Sequence, residues 1–276
     1  MRLARRAFGN SLLILIITLL LLPVYLALVA ASHDGHAMVS APWPYLPGRL
    51  LWSNMKSVLT EGMSAMGGQP LWRLLVNSFW MATLIALGKI GVALCSAFSL
   101  VYFNLPYKKW FFALIFSTMM LPVEIRIVPT FQVVASFGWL NSVPGLTLPL
   151  MASATATFLF RQFFKTLRPE LAEAAILDGA TPWRFFWDIL LPLSKGSMGA
   201  LFIILFVYGW NQYLWPLVIT SSPQKATIVM GLRYLVGVAD TVPQWHLIMC
   251  VALCALLPPC LIVLGAGRRF EKGLIH

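Results

Sequence analysis

The sequence predicts an all-α polytopic membrane protein of six transmembrane helices, read as a single domain over residues 1–276, and three observations predict it. Hydrophobic residues make up 59% of the chain and charged residues only 11%. A soluble domain carries about a quarter charged residues, so lipid is the expected solvent for most of this surface. Six apolar runs, at about 11–31, 74–102, 110–130, 146–164, 199–220 and 246–265, approach or exceed the ~20 residues a helix needs to cross the hydrocarbon layer. The basic residues are also one-sided. With the N-terminus inside, the inner segments hold thirteen: Arg2, Arg5, Arg6, Lys108, Lys109, Arg161, Lys165, Arg168, Arg184, Lys195, Arg268, Arg269 and Lys272. The outer segments hold five, Arg49, Lys56, Arg73, Lys225 and Arg233, so both termini are expected in the cytoplasm. The net charge of +11 is then a topology signal, and nucleic-acid binding is not expected.

The first run follows a basic stretch, as a signal peptide would. It is long for a signal h-region and ends in no clear small-x-small cleavage site, so a retained helix is expected, kinked at Pro23. Residues 32–73 form a long outer segment whose middle, 50–59, reads as a surface helix with Trp43, Tyr45 and Trp52 as interfacial anchors. His33-Asp34-Gly35-His36 reads as a polar turn. Asn104-Leu105-Pro106 and residues 141–145 read as tight connections, and 221–245 as a second outer loop. Cys95, Cys250, Cys254 and Cys260 fall within runs; Cys250 and Cys254 share a face but lack further ligands, so packing is the expected role. Gly88 and Gly91 read as close-packing positions.

The inner stretch between the fourth and fifth runs, 165–195, holds four of the nine acidic residues: Glu170, Glu173, Asp178 and Asp188. Pro169 suits a first helical turn and Gly179 a stop, predicting a helix near 169–178. Thr181-Pro182 suits the start of a second helix, which Pro192 is expected to end. The inner face of the first helix is read as Ala172, Ala174 and Ala175, small enough for another surface to approach.

Glu173-Ala174-Ala175, then Gly179 with nine residues between it and Ile189, and then Leu191-Pro192 resemble, in spacing and type, the signature loop of ABC importer permeases. Asp178 lies within the same stretch. Asn77-Ser78 and Trp210-Asn211-Gln212-Tyr213-Leu214-Trp215-Pro216 are similar to the sugar-type permeases of that family. Met120-Leu121-Pro122-Val123-Glu124-Ile125-Arg126 and the run 146–164 are similar to its permeases for sn-glycerol-3-phosphate. The resemblance implies a type I ABC importer permease fold in the bacterial inner membrane. It also implies a second permease as heterodimeric partner, two copies of an ABC ATPase, and a periplasmic substrate-binding protein. The loop would be the coupling helix seated in the ATPase. No G-x-x-x-x-G-K-[ST] loop occurs in the chain, so ATP and Mg are expected on the ATPase rather than here, and no cofactor or catalytic residue is expected in this subunit. The chain ends soon after Phe270-Glu271-Lys272-Gly273, where many relatives carry a longer tail, so tail-mediated regulation is not expected.

Three charges fall deep inside the runs, away from their ends: Lys89, Glu124 and Arg126. Such charges cost several kcal/mol and usually face water or a partner charge. At about 1.5 Å per residue, Lys89 falls near the midplane and Glu124 and Arg126 in the outer half, with Asn211 and Gln212 at similar depth. One surplus positive charge, with Tyr208 nearby in sequence to Asn211, would suit a phosphate-bearing substrate. Equally, Lys89 could pair with Glu124 while Arg126 meets a partner's acid or snorkels outward. The rival readings are a permease for a neutral sugar or oligosaccharide, and an ion-coupled secondary carrier working alone. An intramembrane hydrolase lacks a nucleophile–base pair.

Overall fold

The computed structural model describes the backbone of residues 2–63, 67–118, 123–236 and 243–273, with side chains at 8–63, 67–118, 125–236 and 243–265. Helices follow in the order α1 (Arg2–Ala31), α2 (Leu51–Thr60), α3 (Leu71–Tyr102), α4 (Lys108–Ser117), α5 (Val123–Ser136), α6 (Val143–Thr147) and α7 (Ala154–Thr166). They continue as α8 (Pro169–Leu177), α9 (Pro182–Phe185), α10 (Leu191–Leu193), α11 (Lys195–Trp210), α12 (Leu214–Ile219), α13 (Ile228–Val236) and α14 (Trp245–Gly273). Among the described residues there is no strand.

Three helices are long and apolar enough to cross a membrane alone, at Phe8–Ala31, Leu71–Tyr102 and Trp245–Gly265. Two further candidates are bent pairs. Val143–Leu150 meets Ala154–Thr166 at 51°, and Pro182–Leu193 meets Lys195–Trp210 at 71°. The third run of the sequence divides between α4 and α5, and Met119 to Pro122 between them lie outside the described residues. The fifth run divides at residues 211–213, between α11 and α12. Hydropathy averaged over a run joins the pieces of the fifth, because the polar Asn211 and Gln212 are outweighed by the apolar residues on either side.

The chain separates into two compact units, one of Met1–Leu75 with Thr227–Pro258 and one of Val76–Ala226 with Pro259–His276. In the first, most of α1 is bare: Leu13, Leu15, Leu19 and Leu20 are all exposed. Only its last turn is buried, and there polar groups fix the chain. Ser32 Oγ donates to Val29 O (2.6 Å) and accepts from Gly48 N (2.7 Å), while Asn54 Nδ2 donates to Ala31 O (2.9 Å) and His33 O (2.8 Å). Gly48 is required because a Cβ there would run into Ser32 O. Cys250 Sγ faces Ala31 O at 3.7 Å, and Cys254 Sγ lies 3.2 Å from Met55 Sδ. Asp34 Oδ1 accepts from Ala37 N (2.8 Å), within the turn expected there.

In the second unit, Met81 and Ile85 of α3 pack with Val134, Leu146, Leu150, Trp215 and Ile219. The tryptophan's indole N–H reaches Gly145 O at 3.1 Å. Asn141, at φ 54, ties α5 to α12: its Oδ1 accepts from Ser221 N (2.8 Å) and Ser222 N (2.9 Å), and its N–H donates to Ile219 O (3.1 Å). Of the two glycines beside Lys89, a side chain at Gly88 would strike Met151, whereas Gly91 faces open space, so only the first is a packing position. A helix crossing limited by backbone lies elsewhere. A Cβ on Gly209 of α11 would stand 2.9 Å from Cα of Ala82 in α3. Backbone cannot swing aside as a side chain can, so Gly209→Leu is expected to destabilise this unit by about 1–3 kcal/mol or more. A lowered melting temperature of the purified protein would report it.

Candidate functional site: a charged cavity and a helical loop

Two features of the second unit bear on function, a cavity between helices and the loop carrying the signature residues. The cavity, of about 430 Å³, is lined by Lys89, Ser96, Arg126, Ser153, Thr155 and Tyr208, among others. Lys89 is only 6% exposed, and its Nζ stands 3.8 Å from the centroid of the Tyr208 ring. A cation over an aromatic face gains roughly 0.5–2 kcal/mol, more when desolvated. That holds the ammonium in place without neutralising it. Among the described residues no carboxylate forms an ion pair with Lys89. Arg126 is exposed and lines the same cavity from α5.

The structure therefore brings together three residues expected on the pathway, Lys89, Arg126 and Tyr208. The side chain of Glu124 lies outside the described residues. Asn211 and Gln212 do not line this cavity. Asn211 closes α11, its N–H bonding to Val207 O (3.1 Å), and Gln212 Nε2 donates back to Tyr208 O (3.2 Å). Counting depth along a straight helix fails here because the chain turns at 211–213. Sequence reading also missed Ser153 and Thr155. The available signal was Ser153 as a cap: its Oγ accepts from Ala156 N (3.3 Å) at the start of α7.

The loop is built as its turn residues demand. Pro169 opens α8, where a missing N–H costs nothing, and Glu170 sits in the first turn where the helix dipole favours negative charge. Gly179, at φ +72, closes it: Gly179 N bonds Ile176 O (3.0 Å) and Ala180 N bonds Ala175 O (2.9 Å). These paired bonds satisfy the last carbonyls only if the glycine is left-handed. Gly179→Ala is expected to cost about 1 kcal/mol and to raise protease cleavage at this loop. Thr181 Oγ1 accepts from Arg184 N (3.3 Å) and starts α9.

The second helix stops at Leu193, one residue past Pro192, and the chain then bends by 71° into α11. A π-helical turn over Phe186–Leu190 precedes the proline. One detail differs from expectation. Ala174 does not belong to the inner face of α8. Ala175 is buried (4% exposed) and Ala172 half-buried, whereas Glu173, Ala174 and Asp178 are exposed. Ile189 and Leu191 are half-buried and Pro192 exposed. The loop is fastened to the end of α3 by aromatic rings: Phe98 lies 5.1 Å from Phe186, and Tyr102 lies 5.1 Å from Phe185.

Residues 89–276 match the family described as "Binding-protein-dependent transport system inner membrane component". The chain belongs to that family. As an inner-membrane transport component it shares 50% identity with a Salmonella typhi protein named "sn-glycerol-3-phosphate transport system permease protein UgpE", over 97% of this chain and 95% of that one. An Escherichia coli (strain K12) protein of the same name is 49% identical with the same coverage. The fold of this transport component is similar to a solved structure described as a "bacterial ABC transporter involved in the import of the acidic polysaccharide alginate", with a TM-score of 0.79, 18% identity and 97% of each chain covered.

Proposed function

We propose that this chain is a permease subunit of an ATP-driven importer of sn-glycerol-3-phosphate or related glycerophosphodiesters. The similarity of about half the residues, over nearly the whole chain, to relatives named for that solute carries the reading. The cavity supports it, since a buried Lys89 without an acidic partner among the described residues, facing Arg126, suits an anion better than a neutral sugar.

In this reading the chain crosses the inner membrane six times, the bent pair at 143–166, α4–α5 and α11–α12 serving as broken spans, with both termini and loop 165–195 in the cytoplasm. It pairs with a second permease. Two ATPase subunits bind ATP and Mg, and a periplasmic receptor delivers the solute. Residues Glu173, Ala174, Ala175, Asp178, Gly179, Ile189, Leu191 and Pro192 form the coupling element, with α8 seated in the ATPase. Closure of the ATPases displaces α8, and the Phe98, Tyr102, Phe185 and Phe186 rings pass that displacement to α3. Lys89 lies roughly 14 Å further along the same helix. The shared cavity then opens to one side or the other by alternating access, with no chemistry performed by this chain.

The purified complex of both permeases and the ATPase tests this. Receptor loaded with sn-glycerol-3-phosphate is expected to stimulate its ATP hydrolysis. Stimulation by a receptor carrying a neutral sugar alone, or a chain that purifies without any ATPase, would contradict it.

A further inference from the structure

The bent helix pair at 143–166 places a helix start inside the charged cavity. The chain leaves α6, passes a short 3-10 turn at Leu148–Leu150, breaks over 151–153 and restarts as α7, bent by 51°. Ala152, Ser153, Ala154 and Thr155 all line the cavity. The first N–H groups of a helix have no intrahelical acceptor. Here the Ser153 hydroxyl serves Ala156 N, and Ser153 O serves Thr157 N (3.1 Å), which leaves the N–H groups of Ala154 and Thr155 without a helical partner. They lie at the positive end of a 13-residue helix, where a phosphate is favoured.

Independently, Lys89 is more than nine-tenths buried and lines the same cavity. Its ammonium has three donors, and among the described residues no hydrogen-bond acceptor meets them. The Tyr208 ring fixes its position but offers no lone pair in that direction. A buried donor set of this kind is costly unless an acceptor arrives. The cavity volume also falls within the range of small-molecule sites.

We propose that the first turn of α7 and Lys89 form a phosphate subsite in this cavity, with Arg126 at its exposed rim. The subsite holds the phosphate group of the transported solute through the N–H groups of Ala154 and Thr155, the Thr155 hydroxyl and the Lys89 ammonium. This rests on the reading of the chain as a permease for a phosphate-bearing solute, and it names the side of the cavity that recognises the charge.

Ala154→Pro is the informative substitution. Proline is tolerated at a first helical position, and Ser153 already has the extended conformation that a following proline requires (φ −148, ψ 106). The change removes one N–H from the subsite while keeping the helix. Equilibrium dialysis of radiolabelled sn-glycerol-3-phosphate against the purified complex, without receptor, reads the affinity. Displacement by inorganic phosphate but not by glycerol is expected, with about tenfold weaker binding in Ala154→Pro, about a hundredfold weaker binding in Lys89→Met and a few-fold weaker binding in Thr155→Val.

Co-purification with the ATPase reports assembly. If Ala154→Pro does not assemble, Lys89→Met and Thr155→Val decide. Absence of binding by the unmodified complex, displacement by glycerol as effective as by phosphate, or variants within twofold of the unmodified complex would overturn the subsite. A short-chain phosphatidate displacing label at lower concentration than inorganic phosphate would assign the pocket to a lipid headgroup and also overturn it. An unmodified importer that transports sn-glycerol-3-phosphate while the variants bind normally removes the subsite alone. An importer that carries only neutral sugars removes the functional reading itself.

Discussion

Lys89→Met is expected to lower the rate of sn-glycerol-3-phosphate uptake by the assembled importer by about two orders of magnitude, with the protein still inserted and assembled. The magnitude follows from burial. Removing one member of a buried charge pair leaves the other uncompensated, at about 3–5 kcal/mol, and a phosphate entering this cavity would lose its most deeply buried cation. The side chain volume is retained by methionine, so packing beneath Tyr208 changes little. Arg126 lines the same cavity but is exposed, and a solvent-screened charge contributes up to about 1 kcal/mol, so Arg126→Met is expected to reduce uptake only a few-fold. The ranking, with the buried cation far ahead of the exposed one, is the discriminating result. Uptake left intact by both substitutions would remove the electrostatic role of the cavity.

The second large effect concerns α8. Because Ala174 is exposed and Ala175 is buried, two neighbouring alanines give separable outcomes. Ala174→Trp is expected to leave the chain folded and paired with the second permease while blocking the ATPase, so that receptor-stimulated ATP hydrolysis falls to the unstimulated level. Ala175→Trp is expected to act from within. Its side chain would enter the apolar cleft of about 210 Å³ bounded by Phe98, Tyr102, Ala172 and Phe185, loosening α8 from α3 and lowering thermal stability. Glu173→Lys reverses a charge on the outward face without touching that cleft, and it is expected to weaken ATPase association. If Ala174→Trp and Glu173→Lys both hydrolyse ATP normally in response to loaded receptor, α8 is not the docking element.

The loop was the most legible part of the molecule, since its structure is local. Pro169, Gly179 and Thr181-Pro182 each impose a backbone conformation within a turn of themselves, and each does so here. Pro192 marks the end of the second helix to within one residue, behind a π turn that the residue types do not announce. Ala174 misled because composition says that a face is small without saying which way it points. The spans were legible as hydropathy but not as geometry. An averaged apolar run crosses the breaks at 151–153 and 211–213 unnoticed, and only the three-dimensional path shows that one break opens a helix start into the cavity while the other turns Asn211 and Gln212 aside from it. Lys89 and Arg126 stood out because intramembrane charge is rare and costly, and Tyr208 by its nearness to Asn211; the cavity brings the three together. Ser153 and Thr155 carry no charge, and their place in the cavity depends on the bend.

Transport itself provides the most direct measurement. The chain, its partner permease and the ATPase, reconstituted in liposomes with receptor and labelled sn-glycerol-3-phosphate on one face and ATP on the other, should accumulate label only while ATP is hydrolysed, and liposomes holding this chain alone should accumulate none. Accumulation by the isolated chain, or a complete system that moves a neutral oligosaccharide and leaves the phosphate ester outside, would contradict the account.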